Sequence, residues 1–416
     1  MNELTVSNSA LADSTSIDRS KSTPHLETVA LLTGGFDRPY AFGLTMALAS
    51  KGIAVDVLGG GEIDSPEMHS TPNVRFHDTY GDPRRERGAL AKLLRVISYY
   101  TKLVRYARVS RARIFHLLWN NKFQAFDRTL LTLYYKLSGR KLVFTAHNVN
   151  AGKRDGNDSM LNRLTLKMQY KLVDHIFVHT DPMKKELEDD FGITSNKVTV
   201  IPFGINNSVP DTNLTSRQAK ERLGIHPDEK AILFFGAIRP YKGLEYLAEA
   251  FRQLGLTEQN YRLIIAGEPK KGTEQYLNDI KRTLNVERVR ECVISKTEFI
   301  PDEDTEVYFK AADVTVLPYT SVFQSGVLFL AYSFGLPVIA SDVACFREDI
   351  IESQTGFVFT PCDSGDLARV LEKYFESDLY KNLESRRREI REYAQARNSW
   401  ALVAEATQKV YAALLK

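Results

Sequence analysis

Short β-branched and leucine-rich runs alternate with helical segments along this chain, break off, and then begin again. "TVALLTGG" (28–35), "IAVDVLGGG" (53–61), "RIFHLLW" (113–119), "KLVFTAHNV" (141–149), "DHIFVHT" (174–180) and "KVTVIPFG" (197–204) read as strands of a first series. "AFGLTMALASKG" is a helix between the first two, stopped at Gly52. After "INNSVPDTNLTSRQ" the pattern restarts with "AILFFGAI" (231–238), "YRLIIAG" (261–267), "RECVISKTEFI" (290–300), "DVTVLPY" (313–319) and "LPVIASD" (336–342). Strands joined through helices pair in parallel, and a parallel sheet is covered on both faces. The expected fold is α/β, with two doubly wound Rossmann-like domains. Ligands of such sheets sit beyond the carboxyl ends of the strands, so two facing sheets define an interdomain cleft lined by post-strand loops.

At 416 residues the chain is too long for one ordinary core and fits two domains of about 180–200 residues. The expected division is a disordered tail over 1–25, a first domain over 26–205, a linker over 206–228 and a second domain over 229–395. A C-terminal helix over 396–416 is expected to cross back to the first domain. The tail is polar and Ser/Thr-rich with no apolar core, unlike a signal peptide, and no run approaches the roughly 18 apolar residues of a membrane span. Three widely spaced cysteines without a CxxC suggest reduced thiols in a cytosolic protein. The net charge of +3 implies no nucleic-acid partner from the total alone.

From "FFGAIRPYKGLEYLAEAF" (234–251) onward, the chain resembles a glycosyltransferase of the GT-B fold, in particular the retaining family 4 (glycosyl transferases group 1). The likeness continues through "YRLIIAG", "EFIPDEDTEVYFKAADVTVLPY" and "SGVLFLAYSFGLPVIASDVACFREDIIESQTGFVFTPCDSGDLARVL", and more weakly over "VDHIFVHTDPMKKELEDDFGITSNKVTVIPFGI" and "VFTAHNV". The resemblance implies a hexosyl-type transferase that takes a nucleoside-diphosphate sugar as donor, with no further cofactor. Its leaving group is a diphosphate, so catalysis depends on stabilising charge that develops on phosphate oxygens. "GAIRPYKG" supplies Arg239 and Lys242 in the loop after a strand and ahead of a helix; an arginine can fork two phosphate oxygens and a lysine adds a point charge. Lys242 matches the family's lysine directly. Arg239 stands two positions later than the family's arginine, because Ala237 occupies that place. Main-chain N–H groups of Ser325 and Gly326 add a positive helix start.

Gly34 and Gly35 end the first strand in a turn that allows close backbone approach, and by resemblance they face the donor diphosphate and the acceptor. His147 in "FTAHNV" stands at a strand end, where the family places a histidine against the transferred sugar. Glu348 in "ACFRED" matches a family glutamate that follows a Gly-Gly pair, here Ala344 and Cys345. Main-chain groups of Phe299 and Ile300 would lie against the nucleotide base. His175 and His179 lie about 13 Å apart on a strand, too far for one metal ion, and read as structural. No Asp-x-Asp stands at a strand end, which matches the metal-independent pattern of the family.

The stretch from Thr320 to Ser341 has no acidic residue. Family members carry two glutamates eight positions apart here, and the corresponding positions are Val322 and Leu330, or Phe323 and Ala331 with the register slipped by one. Gln324, Ser325 and Tyr332 remain as neutral hydrogen-bonding groups toward the donor. In the family the departing phosphate takes the acceptor's proton, so the missing pair bears more on donor geometry than on the reaction. Two readings follow. One is an active retaining transferase acting on a glycan or lipid-linked saccharide; the other is an inactive GT-B protein that binds nucleotide or glycan and partners an active enzyme. A dehydrogenase is disfavoured, since "GGGEIDSP" lacks the spacing and following helix of a dinucleotide fingerprint.

Residues 84–113 carry ten Lys/Arg against Glu86 alone. Leu90, Leu93, Leu94, Ile97, Tyr100, Val104 and Ala107 recur at helical spacing beside Lys92, Arg95, Lys102, Arg105 and Arg108. Such a helix either lies on an anionic membrane surface, at the inner face of a cytoplasmic membrane, or packs its stripe on the sheet with the basic side solvated. No stacking or groove-reading motif accompanies the charge, so nucleic acid is not expected.

Overall fold

The computed structural model describes residues 28–34, 37–81, 89–121, 123–154, 156, 158–206, 209–257 and 260–416. The expected tail over 1–25, Gly35 and the basic residues 84–88 lie outside the described residues.

Seven strands form the first sheet: β1 (Val29–Leu32), β2 (Val55–Gly59), β3 (Val74–Asp78), β4 (Ile114–Leu117), β5 (Lys141–Thr145), β6 (His175–Val178) and β7 (Val198–Val200). Six form the second: β8 (Lys230–Phe235), β9 (Tyr261–Ala266), β10 (Val293–Lys296), β11 (Val314–Leu317), β12 (Val338–Ser341) and β13 (Gly356–Phe359). Every pairing is parallel, in the orders β3-β2-β1-β4-β5-β6-β7 and β10-β9-β8-β11-β12-β13. The central strands β1, β2, β4, β11 and β12 are buried along their length, as strands covered on both faces must be. Each order reverses once, between β1 and β4 and between β8 and β11. Loops leaving those strands part in opposite directions and open the crevice in which such sheets hold ligands.

Two edge strands escape the sequence reading. β3, "VRFHD", faces solvent with its second and last residues and lacks a continuous apolar run. β13, "GFVF", is four residues long. The 206–228 stretch is also more than a linker, because it contains a helix, Ser216–Arg222, started by a reciprocal capping box between Thr215 and Gln218. Lys220 on that helix is buried against Asp313, Nζ to Oδ2 2.9 Å, and Asp313 Oδ2 also accepts from the Ala231 N–H. This segment is therefore packed into the second domain.

The last helix, Trp400–Leu415, lies against the Arg38–Ser50 helix and completes the first domain's core with Trp400, Val403, Ala404 and Tyr411. The Trp400 indole donates to Ile205 O at 2.7 Å, and the Tyr411 hydroxyl meets His116 Nδ1 at 2.7 Å. Burial holds His116 neutral, pushing its pKa down to about 3. Of the stripe expected on the Ala89–Val109 helix, only Ala107 is buried, Tyr100 and Val104 are half-buried, and Leu90, Leu93, Leu94 and Ile97 are 53–69% exposed; the helix packs instead through Tyr99, Leu103 and Ala107.

Candidate active site

The chain leaves β8 at Phe235 and reaches a 3₁₀ turn, Pro240–Lys242, which closes at Gly243 with φ +64°. A Cβ there would lie 1.9 Å from the carbonyl oxygen of Pro318, so only glycine lets this turn seat against the loop after β11. The turn buries Lys242, whose ammonium stands 5.3 Å from the ring centroid of Tyr319. Facing it, Ser325 precedes the Gly326–Ser333 helix, whose first turn carries no acidic residue. A buried ammonium and the positive end of a helix thus point at one place, a combination suited to phosphate.

From the first domain, Asp37 caps the Arg38–Ser50 helix, its Oδ1 accepting from the Tyr40 N–H at 3.1 Å. Burial pushes the Asp37 carboxyl above the usual aspartate range, and the nearby Asp302 charge adds to that rise. Between the domains lies a cavity of about 290 Å³ whose walls include Asp37 and Tyr40 on one side and Lys242, Tyr319, Gln324 and Ser325 on the other. Asp37 contributes the only carboxylate among the described residues that line it. Val322 and Leu330, which correspond to the family's glutamates in the register without the slip, also line it as aliphatic walls. Phe323 and Ala331 do not line it; Phe323 packs against the first domain and Ala331 is buried.

His147 stands one layer behind the cavity. Its ring stacks on Trp119 at 4.1 Å and 2°, and meets Tyr40 edge-on at 4.5 Å. Its Nδ1 lies 3.1 Å from His179 Nε2, while His179 Nδ1 faces the carbonyl of Ile201 at 3.4 Å. A carbonyl can only accept, so His179 carries its proton on Nδ1 and receives one from His147 Nδ1 through Nε2. His147 Nε2 is then a bare lone pair, and it has no partner among the described residues. Burial keeps both rings neutral, pushing His147 well below its ordinary value and His179 to about 4. Gly34, at φ +60°, brings the end of β1 onto Trp119; a Cβ would stand 2.9 Å from the Trp119 carbonyl oxygen.

Of the residues expected at the site, the structure brings Lys242, Gln324, Ser325 and Gly326 together on the cavity wall. Arg239 is half-buried in the extended residue before the 3₁₀ turn and does not line the cavity. Tyr332 is turned away: it is buried in the second core, with its hydroxyl donating to Thr355 Oγ1 at 2.9 Å. Glu348 is exposed on the Ala344–Asp349 helix, and the carboxyl that approaches the site from behind is its neighbour Asp349. Burial pushes the Asp349 pKa up to about 7, against the opposing charge of Arg397. Phe299 projects into solvent and Ile300 is buried, both in the loop after β10. Asp37, Tyr40, Tyr319 and Trp119 were missed. Of these, Asp37 alone left a signal, standing two residues past Gly35 at the start of a helix.

The profile for "Glycosyltransferase Family 4" matches residues 39–209, and that for "Glycosyl transferases group 1" matches residues 215–397. The two matches join at the boundary between the sheets and together cover most of the chain. The chain belongs to the family-4 glycosyltransferases. Among relatives of this glycosyltransferase is MJ1607 of Methanocaldococcus jannaschii, an uncharacterized glycosyltransferase, 31% identical over 239 residues, which are 55% of this chain and 57% of that protein. D-inositol 3-phosphate glycosyltransferase of Streptosporangium roseum is 24% identical over 257 residues, 59% of this chain and 58% of that one. The chain thus spans a little over half the length of these two relatives. In fold it is similar to sucrose-phosphate synthase of Thermosynechococcus elongatus, with TM-score 0.72 at 19% identity over 94% of this chain and 99% of that one. It is also similar to Anabaena HepE in complex with UDP-glucose, with TM-score 0.71 at 15% identity over 93% of this chain and 100% of that one. These likenesses establish the GT-B fold for this glycosyltransferase.

Proposed function

We propose that this glycosyltransferase moves a sugar from a nucleoside diphosphate to a hydroxyl of a glycan or lipid-linked saccharide, with retention of configuration and without a metal ion. The observation that carries this reading is Lys242, buried at the interdomain cavity beside the start of the Gly326–Ser333 helix. Both features favour the charge that grows on a departing diphosphate, and in a site shielded from water they act strongly. In the reaction, the bond from the sugar's C1 to the phosphate oxygen breaks. The acceptor oxygen bonds to C1 on the same face, and its proton passes to the released phosphate. His147 Nε2, as a lone pair, would accept from a sugar hydroxyl once Tyr40 and Trp119 make room. That complexes of HepE with UDP and UDP-glucose share this fold supports a nucleotide-sugar donor.

Melting curves with UDP, GDP and ADP test binding, because a ligand of the native state raises the midpoint. Lys242→Ala should keep the fold and lower turnover about 10²–10³-fold, and turnover should survive chelators. Wild-type turnover in Lys242→Ala would sink the assignment. The aliphatic Val322 and Leu330 favour a second reading, an inactive nucleotide- or glycan-binding partner of another transferase. Binding without turnover across donors would establish it.

No described helix is long and apolar enough to cross a membrane. The exposed Leu90, Leu93, Leu94 and Ile97 stand beside Lys92 and Arg95, and Phe123, Phe126 and Leu130 are exposed as well. That arrangement supports peripheral attachment to an anionic cytoplasmic surface, where a lipid-linked acceptor would be found. Co-sedimentation with phosphatidylglycerol vesicles but not phosphatidylcholine vesicles is expected, and Leu93→Asp with Ile97→Asp should abolish it.

A further inference from the structure

The cavity has one chemically odd wall. Toward the second domain, Val322 and Leu330 present methyl groups where a sugar ring with free hydroxyls would need acceptors. A buried hydroxyl left without a partner forfeits the hydrogen bonds that water would give it. Yet the wall is not wholly apolar. Gln324 lines it with an amide oxygen, Oε1, that is buried and has no hydrogen-bond partner among the described residues. Beside it, Tyr319 and Ser325 bring two hydroxyls close to one another without a well-formed hydrogen bond. One aliphatic surface, one orphan acceptor and hydroxyl donors therefore share a cavity of about 290 Å³, which is room for part of a ligand rather than a whole nucleotide sugar.

We infer that the sugar of the donor carries an acetamido group and that this wall is its subsite. This rests on the transfer reading above and deepens it. In this arrangement the diphosphate sits at Lys242 and the start of the Gly326–Ser333 helix, and its sugar rather than its nucleoside lies against Val322 and Gln324. An acetamido group supplies what the wall lacks: an N–H for Gln324 Oε1, a carbonyl oxygen for the Ser325 or Tyr319 hydroxyl, and a methyl for Val322. An unsubstituted hexose would set a hydroxyl against the aliphatic side chains. A deoxy sugar would satisfy those side chains and leave Gln324 Oε1 unpaired.

Calorimetric titration tests this in the full-length protein without knowledge of the acceptor. UDP, GDP and ADP are titrated first. The N-acetylhexosamine, parent hexose and 6-deoxyhexose derivatives of the base that binds are then compared. One buried methyl and one neutral hydrogen bond predict about tenfold tighter binding of the acetamido donor over the parent hexose. Equal or tighter binding of the hexose or deoxyhexose overturns the inference while leaving the transfer reading in place. If no diphosphate binds, both fall. Gln324→Leu should remove most of the preference by deleting the acceptor, and Val322→Glu should reverse it in favour of the hydroxylated sugar. The measured quantity is the ratio of the two affinities, which a general loss of fold would not shift in opposite senses. Survival of the preference in both variants also overturns the inference.

Discussion

The carboxyl of Asp37 caps the Arg38–Ser50 helix through one oxygen and lines the cavity opposite Lys242, so substitutions there separate two jobs. Asparagine caps nearly as well as aspartate, whereas alanine costs about 1 kcal/mol at an N-cap. If Asp37 also orients the acceptor hydroxyl, Asp37→Asn keeps the melting temperature and loses about tenfold or more in kcat/KM for the acceptor. A purely capping role predicts wild-type kinetics in Asp37→Asn and a destabilised Asp37→Ala. Asp349 makes a different prediction. Its folded pKa is raised by burial to about 7, so its contribution to stability is fully present below the unfolded aspartate value and is lost as pH rises through about 7. Asp349→Asn should flatten the dependence of melting temperature between pH 5 and pH 8 and make the protein more stable than wild type at pH 8. Lys242 was legible because a cation after a strand and before a helix has a chemical purpose that the sequence displays. Asp349 was not, because which face of a short helix turns inward is decided by packing, and Glu348 beside it has the same chemistry.

At the scale of elements, the buried strands announced themselves through apolar runs, while β3 and β13 did not. An edge strand is solvated on one side and needs no such run. The Ser216–Arg222 helix was hidden in a polar stretch; its contact with the core is Ala219 and the aliphatic part of Lys220, too little to register as a stripe. The basic helix posed a choice that periodicity could not settle, since the residues it buries, Tyr99 and Leu103, stand one position before the expected Tyr100 and Val104. The C-terminal helix gives the element-scale prediction. Trp400 fills a space against Gly43 and Gly204, where any side chain would strike its indole. Trp400→Ala should lower stability by about 3–5 kcal/mol. The loss should appear as earlier melting of the first domain, read by hydrogen exchange in β1 and β4, with β8 and β11 unaffected.

At the scale of the molecule, contacts between the two domains near the site include Arg38 Nη1 with Asp302 Oδ2 at 3.6 Å, Phe203 stacked on Phe329 at 5.5 Å, and Phe323 against the first domain's core. The ion pair is half-exposed and contributes little by itself. Arg38→Glu would set like charges across the cleft mouth, and small-angle scattering should then record a larger radius of gyration for the ligand-free protein. An unchanged radius would mean that the contacts of Phe203 and Phe323 set the separation without the ion pair. Connectivity has a further consequence during synthesis. The first domain's sheet is complete at Val200, yet Trp400, Val403 and Tyr411 of its core are still untranslated. At about 5–20 residues per second, the ribosome takes roughly 10–40 s to deliver them. Throughout that interval the apolar face of the Arg38–Ser50 helix that the last helix will cover stays open to water.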